Sequence, residues 1–479
     1  MKILLVNPSH QEVYKKVPTV AGLSQPMGLL CIAAYMRENG FKEIEILDIQ
    51  AEQLNKDEIK NRISKDINII GCGSLTPNLK NAVEVFRIAK SINPKIITVL
   101  GGDHITALPK ETIETFKEID FGVIGEGEIT FHELCSYIEK NRKDYENING
   151  LTFRRDNEVN VNQLRGLIED INILPIPAYD LVPMKKYSPP AHHTSFGGNV
   201  KLKPFTIFFS LRGCPYRCTY CASKVMWQRK VRYRSIENVK KEIDYLIKNY
   251  NIKCLEFNDE NFIINKDRLN KLLDLLQDYH DKNGLSWNCL TRVDSVEEDI
   301  LIRMKKAGCY FIRFGVESGS QTILNAMKKD ITVQQVKDAF KLVNKVGIPS
   351  SASFILGYPG ETKETLQETL DLAKEIDPIM AFFFIAIPIV GTELYNETKQ
   401  KNLLLNSNWT DWVQMAETPM IKTENLSSEN LMEFRKKAYK EFYFRPKYIW
   451  KLAKGIRTKE QIKFYIKGAL GALSLSKEK

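Results

Sequence analysis

The sequence predicts an α/β protein in which two successive units of alternating strands and helices precede a mainly helical C-terminal region. Residues 1–140 alternate β-branched runs with segments of helical period, residues 201–400 repeat that alternation with six further strands, and helical patterns dominate residues 401–479. Alternation of this kind favours parallel sheets that are covered by helices. A chain of 479 residues is long enough to give each unit its own core.

Five strands are predicted in residues 1–140, namely KILLVN, EIEILDI, INIIGCGS, IITVLGG and FGVIGEGE. Because the carboxyl ends of parallel strands meet at one edge of a sheet, the polar and glycine-rich turns after these strands predict a ligand crevice there. No G-x-G-x-x-G follows the first strand, which weighs against a dinucleotide and leaves a nucleotide or a flavin open. The candidate contacts in this crevice are Ser74, Thr76, Gly101, Gly102, His104, Gly125, Glu126 and Gly127. For His104, a plain turn residue is the competing interpretation.

Residues 141–200 are predicted to connect the two units. They contain a probable hairpin, LTFRRDNEVNVNQ, followed by the proline-rich run ILPIPAYDLVPMKKYSPP. Proline at this density continues neither a helix nor a central strand, so the segment is interpreted as a connector.

Six strands are predicted in residues 201–400, namely TIFFSLRG, CLEFND, SWNCLT, FIRFGVES, SASFILGYP and AFFFIAIPI. With their intervening helices they fit a partial (β/α)6 barrel better than a second flat sheet. Barrel chemistry is built at the carboxyl ends of the strands, so the functional residues of this unit are expected in the turns that follow them.

Three cysteines, Cys214, Cys218 and Cys221, come directly after the first of these strands with the spacing C-x3-C-x2-C. A structural zinc site usually has four ligands, often as two C-x2-C pairs. Three thiolates on a [4Fe-4S] cluster leave one iron without a protein ligand, and that iron can chelate a small molecule. The other six cysteines lie mostly in apolar segments and are interpreted as core thiols, and no signal peptide precedes them to suggest disulfides.

This spacing, with an aromatic residue just before the third cysteine, resembles the radical S-adenosylmethionine (SAM) superfamily. The resemblance implies that the open iron binds the amino and carboxylate groups of SAM, and that an electron from the cluster cleaves SAM to a 5′-deoxyadenosyl radical. Tyr220 matches the aromatic position beside adenine.

The turns after the later barrel strands agree with this resemblance. It implies contacts from Asp259 and Glu260 to the methionine amino group, from Arg292 to the carboxylate, and from Glu317 and Ser318 to the ribose hydroxyls. An ion pair between Arg292 and its near neighbour in Thr-Arg-Val-Asp is the competing interpretation of that arginine. A further pair after the sixth strand is expected to border adenine, namely Ile387 and Pro388.

The first unit resembles the Rossmann-like cobalamin-binding domain found ahead of many radical SAM barrels. In that domain the nucleotide tail of cobalamin runs past the Ser/Thr turn and the Gly-Gly turn. The D-x-H-x-x-G motif that ligates cobalt in other cobalamin enzymes is absent, and the context of His10 does not match it. The resemblance therefore implies cobalamin without a histidine lower ligand, and it places residues 1–450 with the class B radical SAM methylases and their cyclase relatives.

A C-methyltransferase that acts on an unactivated carbon is the function these resemblances imply, with a [4Fe-4S] cluster, SAM and cobalamin as cofactors. A radical cyclase or oxidative rearrangement enzyme that transfers no methyl group is the first alternative, and a cobalamin-binding sensor without catalysis is the second. The expected partners are a small-molecule or lipid substrate and an electron donor such as flavodoxin or ferredoxin.

The net charge of +10 is concentrated at the C-terminus, where residues 431–479 carry fourteen Lys and Arg against four Glu. The sequence therefore gives no support for a dispersed nucleic-acid-binding surface. A helical cap on the barrel and a peripheral contact with an anionic membrane are the two interpretations of this basic tail. No apolar run of 18 or more residues is present, so a cytoplasmic location or a peripheral position at the inner membrane surface is expected.

Overall fold

The computed structural model describes residues 1–9, 22–190, 202–414 and 419–455, together with residue 462. In these residues the predicted α/β architecture is confirmed, with an N-terminal sheet, a partial barrel and C-terminal helices. His10 and residues 456–461 and 463–479 of the basic tail lie outside the described residues.

The N-terminal sheet has seven strands in the order β2-β1-β3-β4-β5-β6-β7. The first five are parallel, and the last two form an antiparallel hairpin on the β5 edge, with Phe121 opposite Phe153. We predicted this hairpin as part of the connector; it joins the sheet because Leu151 and Phe153 are buried against the same core as β5. The strands are β1 Ile3–Asn7, β2 Ile44–Asp48, β3 Ile69–Gly73, β4 Ile97–Gly101, β5 Phe121–Val123, β6 Leu151–Arg155 and β7 Glu158–Val161.

Helices cover both faces of this sheet. In β1, Ile3 and Leu5 belong to one hydrophobic core, and Leu4 and Val6 belong to another on the opposite face. Burial on both faces explains why these strands read as continuous apolar runs in the sequence. The helices are α1 Met27–Glu38, α2 Ile49–Glu52, α3 Lys56–Arg62, α4 Leu79–Ile92, α5 Asp103–Ala107, α6 Pro109–Thr115 and α7 Gly127–Glu139.

The second unit is a parallel sheet of six strands in the order β15-β14-β13-β12-β11-β8, as predicted for a partial barrel. A short antiparallel pair, β9 with β10, follows the first strand of this sheet in the chain. The strands are β8 Phe205–Phe208, β9 Leu211–Arg212, β10 Arg232–Tyr233, β11 Cys254–Phe257, β12 Ser286–Thr291, β13 Cys309–Glu317, β14 Ser350–Leu356 and β15 Met380–Ile385.

Several barrel helices begin at side-chain caps that are readable in the sequence. Thr332 and Thr362 each close a capping box, and Gly347 ends one of these helices in the left-handed conformation. The helices are α8 Ser223–Trp227, α9 Ile236–Tyr250, α10 Lys266–Asn283, α11 Glu298–Lys306, α12 Gln321–Ala326, α13 Val333–Val346, α14 Lys363–Ile376 and α15 Glu393–Gln400.

Two C-terminal helices, α16 Ser428–Tyr443 and α17 Pro446–Gly455, cover the free edge of the barrel. The Tyr443 hydroxyl donates to the Ala381 carbonyl at 2.9 Å and accepts from the Ala381 amide at 3.1 Å, so it occupies backbone groups of the edge strand β15. Capping an edge in this way prevents it from pairing with another chain. None of the helices in the described ranges is both long and apolar enough to cross a bilayer.

The segment between the two units packs against both of them. The Ala178 amide donates to the Leu30 carbonyl at 3.2 Å, and the Tyr179 hydroxyl donates to Glu242 of α9 at 2.6 Å. The connector therefore fixes the first sheet against the barrel. Short 3-10 helices occur in the connector and elsewhere in the described residues. They are Thr76–Asn78, Tyr145–Asn147, Ile171–Ile173, Tyr179–Leu181, Met184–Lys186, Val293–Ser295 and Trp409–Gln414.

Candidate cofactor and active site

A cavity of about 530 Å³ lies at the carboxyl edge of the first sheet, where the sequence predicted a crevice. Its walls come from three parts of the chain: the strand-end turns, the proline-rich connector and the start of the barrel. The connector contributes Pro175 and Pro177, and the barrel contributes Leu211, Arg212 and Trp227. Of the predicted crevice residues, the lining includes Ser74, Gly101, Gly102, Gly125, Glu126 and Gly127.

Glycines shape the sheet side of this cavity. Gly102 has a φ of 98°, and a Cβ at this position would lie 2.6 Å from the carbonyl oxygen of Ser74. A Cβ on Gly73 or Gly101 would meet its first neighbour only at 3.8 or 4.0 Å, so the ends of β3 and β4 leave open space. The Ser74 hydroxyl is buried beside this space with no hydrogen-bond partner in the described chain. The edge thus fits a large ligand that approaches the backbone closely and accepts or donates one hydrogen bond.

Thr76 and His104 do not line the cavity. Both lie behind the Ser74 turn, where the Thr76 hydroxyl and His104 Nδ1 are 2.9 Å apart and the imidazole packs 4.6 Å from the ring of Trp409. Burial lowers the pKa of His104 to about 4, so the ring is neutral. The His104 amide also donates to the Ser74 carbonyl at 3.3 Å, which is a role in positioning the turn. A direct contact from either residue to cobalamin stays a prediction.

An ion-pair cluster joins the two units at the cavity wall. Arg212 of β9 binds Glu126 at 2.6 Å and Glu128 at 2.7 Å, both in the Gly-Glu-Gly-Glu turn after β5. Arg232, opposite Arg212 in the β9–β10 pair, binds Glu126 at 2.6 Å. Glu126, which also lines the cavity, thus holds the barrel against the first sheet, and its predicted contact with cobalamin stays a prediction. Sequence reasoning missed this cluster, although an arginine two residues before the first cysteine was visible in the sequence.

The cysteine loop, residues 214–221, follows β9, and hydrogen bonds of Thr219 fix its position. The Thr219 amide donates to the Met327 carbonyl at 3.0 Å, and the Thr219 hydroxyl is 2.7 Å from the Tyr358 hydroxyl. The three cysteines of the loop are partly exposed, unlike most of the others. The predicted core thiols are buried at Cys72, Cys135, Cys254, Cys289 and Cys309, whereas Cys31 is partly exposed and lines the cavity.

The donor set of this loop fits a cluster better than a single ion. The loop supplies three sulfur donors, Cys214, Cys218 and Cys221, which is one fewer than a structural zinc site usually has. Burial, together with the charges of the neighbouring Cys218 and Cys214, raises the pKa of Cys221 to about 11. Three thiolates that repel one another need a cationic partner, and the irons of a cluster are such a partner.

Tyr220, inside the loop, belongs to a buried polar group. Lys329 Nζ lies 2.8 Å from Glu317 Oε1 and donates to the Tyr220 hydroxyl at 3.2 Å. Glu317 has a φ of 73°, an uncommon conformation for a residue with a side chain and one that is typical of functional sites. Lys329 was not among the sequence candidates, because its loop after α12 carries no motif that points to the cysteines.

Asp259 and Glu260, at the end of β11, bind the segment that leads into the cysteine loop. The Asp259 carboxylate accepts from the Ser210 amide at 2.7 Å, the Ser210 hydroxyl at 2.5 Å and the Leu211 amide at 3.1 Å. Glu260 accepts from the Gly213 amide at 3.1 Å. Asp259 is fully buried, so it acts on the shape of the loop, while Glu260 is partly exposed. Their predicted contact with SAM stays a prediction.

Arg292 forms an ion pair with Asp294, which is the competing interpretation given for this arginine. Its guanidinium donates to both Asp294 oxygens at 2.9 Å and to the Lys329 carbonyl at 2.8 Å, and it stacks 3.7 Å from the ring centroid of Tyr216 in the cysteine loop. Ser318 is fully buried, with its hydroxyl 3.1 Å from that of Thr369. The contacts predicted for Arg292 and Ser318 with SAM stay predictions.

Two family models match the chain in the order that the two sites require. The B12 binding domain matches residues 17–135, and the radical SAM superfamily matches residues 209–373. An uncharacterized methyltransferase of Pyrococcus horikoshii is 36% identical over 94% of this chain and 94% of its own length. The chain belongs to the cobalamin-dependent radical SAM enzymes.

Further comparisons agree with this assignment. The anaerobic magnesium-protoporphyrin IX monomethyl ester cyclase of Rubrivivax gelatinosus is 27% identical over 92% of this chain and 77% of its own length. The solved structure of the cobalamin-dependent SAM radical enzyme OxsB, with aqua-cobalamin and SAM bound, superposes with a TM-score of 0.72 at 20% identity. It covers 99% of this chain and 71% of that enzyme, which shows that the fold is shared.

Family membership gives this radical SAM enzyme its cofactors, a [4Fe-4S] cluster, SAM and cobalamin. That Cys214, Cys218 and Cys221 hold the cluster and that the glycine-lined cavity holds cobalamin stay predictions, which the chemistry of the three thiols and the lining of the cavity fit. Membership of an enzyme family also removes the alternative of a sensor without catalysis.

Proposed function

We propose that this radical SAM enzyme methylates an unactivated carbon of a small-molecule substrate. The observation that carries the proposal is the position of Arg212. This residue lines the cavity that fits cobalamin, binds two carboxylates of the cobalamin-binding domain, and stands two residues before Cys214. One backbone segment therefore connects the two cofactor sites, as a reaction that uses both cofactors on one substrate requires. The methyltransferase name of the Pyrococcus relative supports the same reaction class.

The residues of the chain hold, orient and shield the reacting groups. When bound, the cluster and SAM supply a 5′-deoxyadenosyl radical, and cobalamin supplies the methyl group. The three cysteines would hold the cluster with one iron open for SAM, and the buried Glu317–Lys329 pair fixes the hydroxyl of Tyr220 within the loop. Trp227 and the connector prolines close the cavity wall, and this apolar cover limits access of water to a radical.

Labelled SAM tests the proposal. Anaerobically reconstituted enzyme with a strong reductant, SAM labelled in its methyl group and a small-molecule extract of the source cells is expected to give a labelled product and deoxyadenosine. Cys218→Ser is the matched control and is expected to give neither. Protein that binds zinc in place of the cluster, or that releases no deoxyadenosine, would exclude the radical mechanism.

The second candidate function is a radical cyclisation or oxidative rearrangement without methyl transfer. The similarity to the Rubrivivax cyclase over 92% of this chain favours it. The same experiment separates the two reactions, since a cyclase forms deoxyadenosine and an altered product that carries no label.

An acidic electron-transfer protein such as flavodoxin or ferredoxin is the electron donor that we propose. The surface beside the cysteine loop carries several exposed cations, with Arg217 58%, Lys224 52% and Lys328 46% exposed. Opposite charge on the partner would steer the encounter. The double variant Lys224→Glu/Lys328→Glu is expected to slow cluster reduction by flavodoxin at low salt and to leave reduction by dithionite unchanged.

A peripheral contact between the basic tail and an anionic membrane is also proposed. In α17, Ile449 and Trp450 are 52% and 64% exposed, and Lys454 lies over the Trp450 ring at 4.9 Å. Exposed aromatic and basic residues on one short helix are typical of interfacial segments. Liposomes that contain phosphatidylserine are expected to sediment the full chain but not the double variant Ile449→Ser/Trp450→Ser; equal sedimentation would exclude the contact by α17.

A further inference from the structure

We infer that the inner face of the partial barrel binds a planar aromatic ring of the substrate on Phe382 and Phe384. This inference rests on the proposed function. Side chains alternate between the faces of a strand, and Phe383 is buried against Tyr439 and Phe442 of α16, at 5.5 and 6.3 Å between ring centroids. Phe382 and Phe384 therefore lie on the face away from the helices, which is the inside of the barrel. Phe384 is 44% exposed there.

The exposed ring of Phe384 is close to the cysteine loop. In the register between β14 and β15, Phe384 is the partner of Ile355, so both side chains lie on the inner face. Ile355 packs against a small hydrophobic cluster that also receives Tyr220, the residue before the third cysteine. Phe384 and Tyr220 are thus connected through Ile355 and this cluster. An apolar surface in this position is where a substrate carbon has to lie to meet the radical.

The two rings favour a flat ligand. Their centroids are 5.9 Å apart and their planes differ by only 15°, so they present nearly parallel faces along the same strand. Aromatic rings pair with other rings in offset-stacked or edge-to-face geometry, and these pairs contribute beyond the area they bury. Two neighbouring rings with parallel planes suit a fused or conjugated ring system better than a flexible acyl chain.

The inner face of the barrel also carries a polar group, the guanidinium of Arg313, on the strand two away from β15. Arg313 of β13 is level with Ser351 and, across β14, with Met380, which is two positions before Phe382. Its guanidinium donates to Glu256 at 3.0 Å, while its Nε is buried without a partner in the described chain. Two strand spacings, about 10 Å, and two residues along the strand, about 7 Å, separate Arg313 from Phe382, so a bicyclic ring on Phe382 needs a polar substituent that extends toward β13. The ligand class is therefore an aromatic ring system that carries a hydrogen-bond acceptor such as a carboxylate.

Equilibrium dialysis with 2-naphthoate as the probe tests this inference on the anaerobic holoenzyme. We expect saturable binding that Phe384→Ala weakens about tenfold. Phe384→Tyr, which keeps a flat ring, is expected to bind like the wild type, whereas Phe384→Leu is expected to bind as weakly as alanine. Phe444→Ala is the matched control, since Phe444 is 38% exposed in the C-terminal region, and it is expected to have no effect. Arg313→Gln is expected to weaken binding of naphthoate and not of 2-methylnaphthalene.

Each other outcome overturns the inference. Absence of saturable binding, or equal binding by the wild type and Phe384→Ala, would remove the ring site. Octanoate that binds as tightly as naphthoate and is lost in the same variants would replace the aromatic class with an acyl chain. A loss of SAM affinity in Phe384→Ala without a change for naphthoate would assign the rings to the adenosyl group. Methyl transfer is not measured in this experiment, so its failure leaves the proposed reaction standing.

Discussion

Replacing Arg212 by glutamine tests the connection between the two cofactor sites. Among the residues that the structure describes, Arg212 is the one ion-pair partner of Glu128, whereas Glu126 keeps Arg232. The side chain of Glu128 is only 5% exposed. The variant Arg212→Gln therefore leaves a buried carboxylate without a cation, directly behind the segment that carries Cys214.

The expected cost follows from that burial. Removing one partner of a buried ion pair destabilises a protein by about 3–5 kcal/mol, because the remaining charge has no compensation. The double variant Arg212→Gln/Glu128→Gln removes that charge, so it is expected to recover most of the loss.

Urea unfolding of the anaerobically reconstituted protein, followed by circular dichroism, measures these differences. The control is Lys266→Gln, whose ion pair with Glu297 has partners 55% and 58% exposed and is expected to contribute less than about 1 kcal/mol. We also expect Arg212→Gln to retain less iron, because its segment leads into the cysteine loop. The reasoning is refuted if Arg212→Gln costs no more than the control, or if the double variant is no more stable than the single one.

Three further predictions concern single residues. Cys218→Ala removes one of three thiolates and should reduce bound iron by about half or more in a colorimetric assay. Gly102→Ala forces a side chain onto a φ of 98° with its methyl 2.6 Å from the Ser74 carbonyl, and should weaken cobalamin binding about tenfold in a spectroscopic titration. Burial raises the pKa of Glu361 to about 8. The free energy of unfolding should therefore fall between pH 4.5 and 8, by up to about 1.4 kcal/mol per pH unit. In urea unfolding, Glu361→Gln should lack this pH dependence.

Each of these has a matched control. Cys254→Ala changes a buried thiol outside the loop and should leave the iron content unchanged. Gly166→Ala adds a methyl group in open space and should leave cobalamin binding unchanged. For Glu361, a neighbouring exposed acid, Glu364→Gln, should keep the slope of the wild type; a slope that survives in Glu361→Gln would contradict the assigned pKa.

The elements of the fold were predictable because each depends on local patterns. The apolar runs of β1, β3 and β4 read as strands buried on both faces, and the capping boxes at Thr332 and Thr362 mark where helices begin. The hairpin of β6 and β7 was predicted as a hairpin but assigned to the connector. Its place on the β5 edge depends on Phe153 packing against Phe121, a contact between residues far apart in the sequence.

Of the candidate site, the sequence determined the parts that are contiguous: three cysteines in one loop, and glycine turns at the strand ends. Their spacing and the family resemblance predict which sulfur atoms ligate iron and where a backbone approaches a ligand closely. Only the tertiary structure decided what the charged residues do. Glu126 and Arg212 are 86 positions apart and form an ion pair, Arg292 is held by Asp294, and Lys329 joins Glu317 to Tyr220. A charge is balanced by whichever opposite charge the packing brings within a few ångströms, and no local pattern in the sequence encodes that distance.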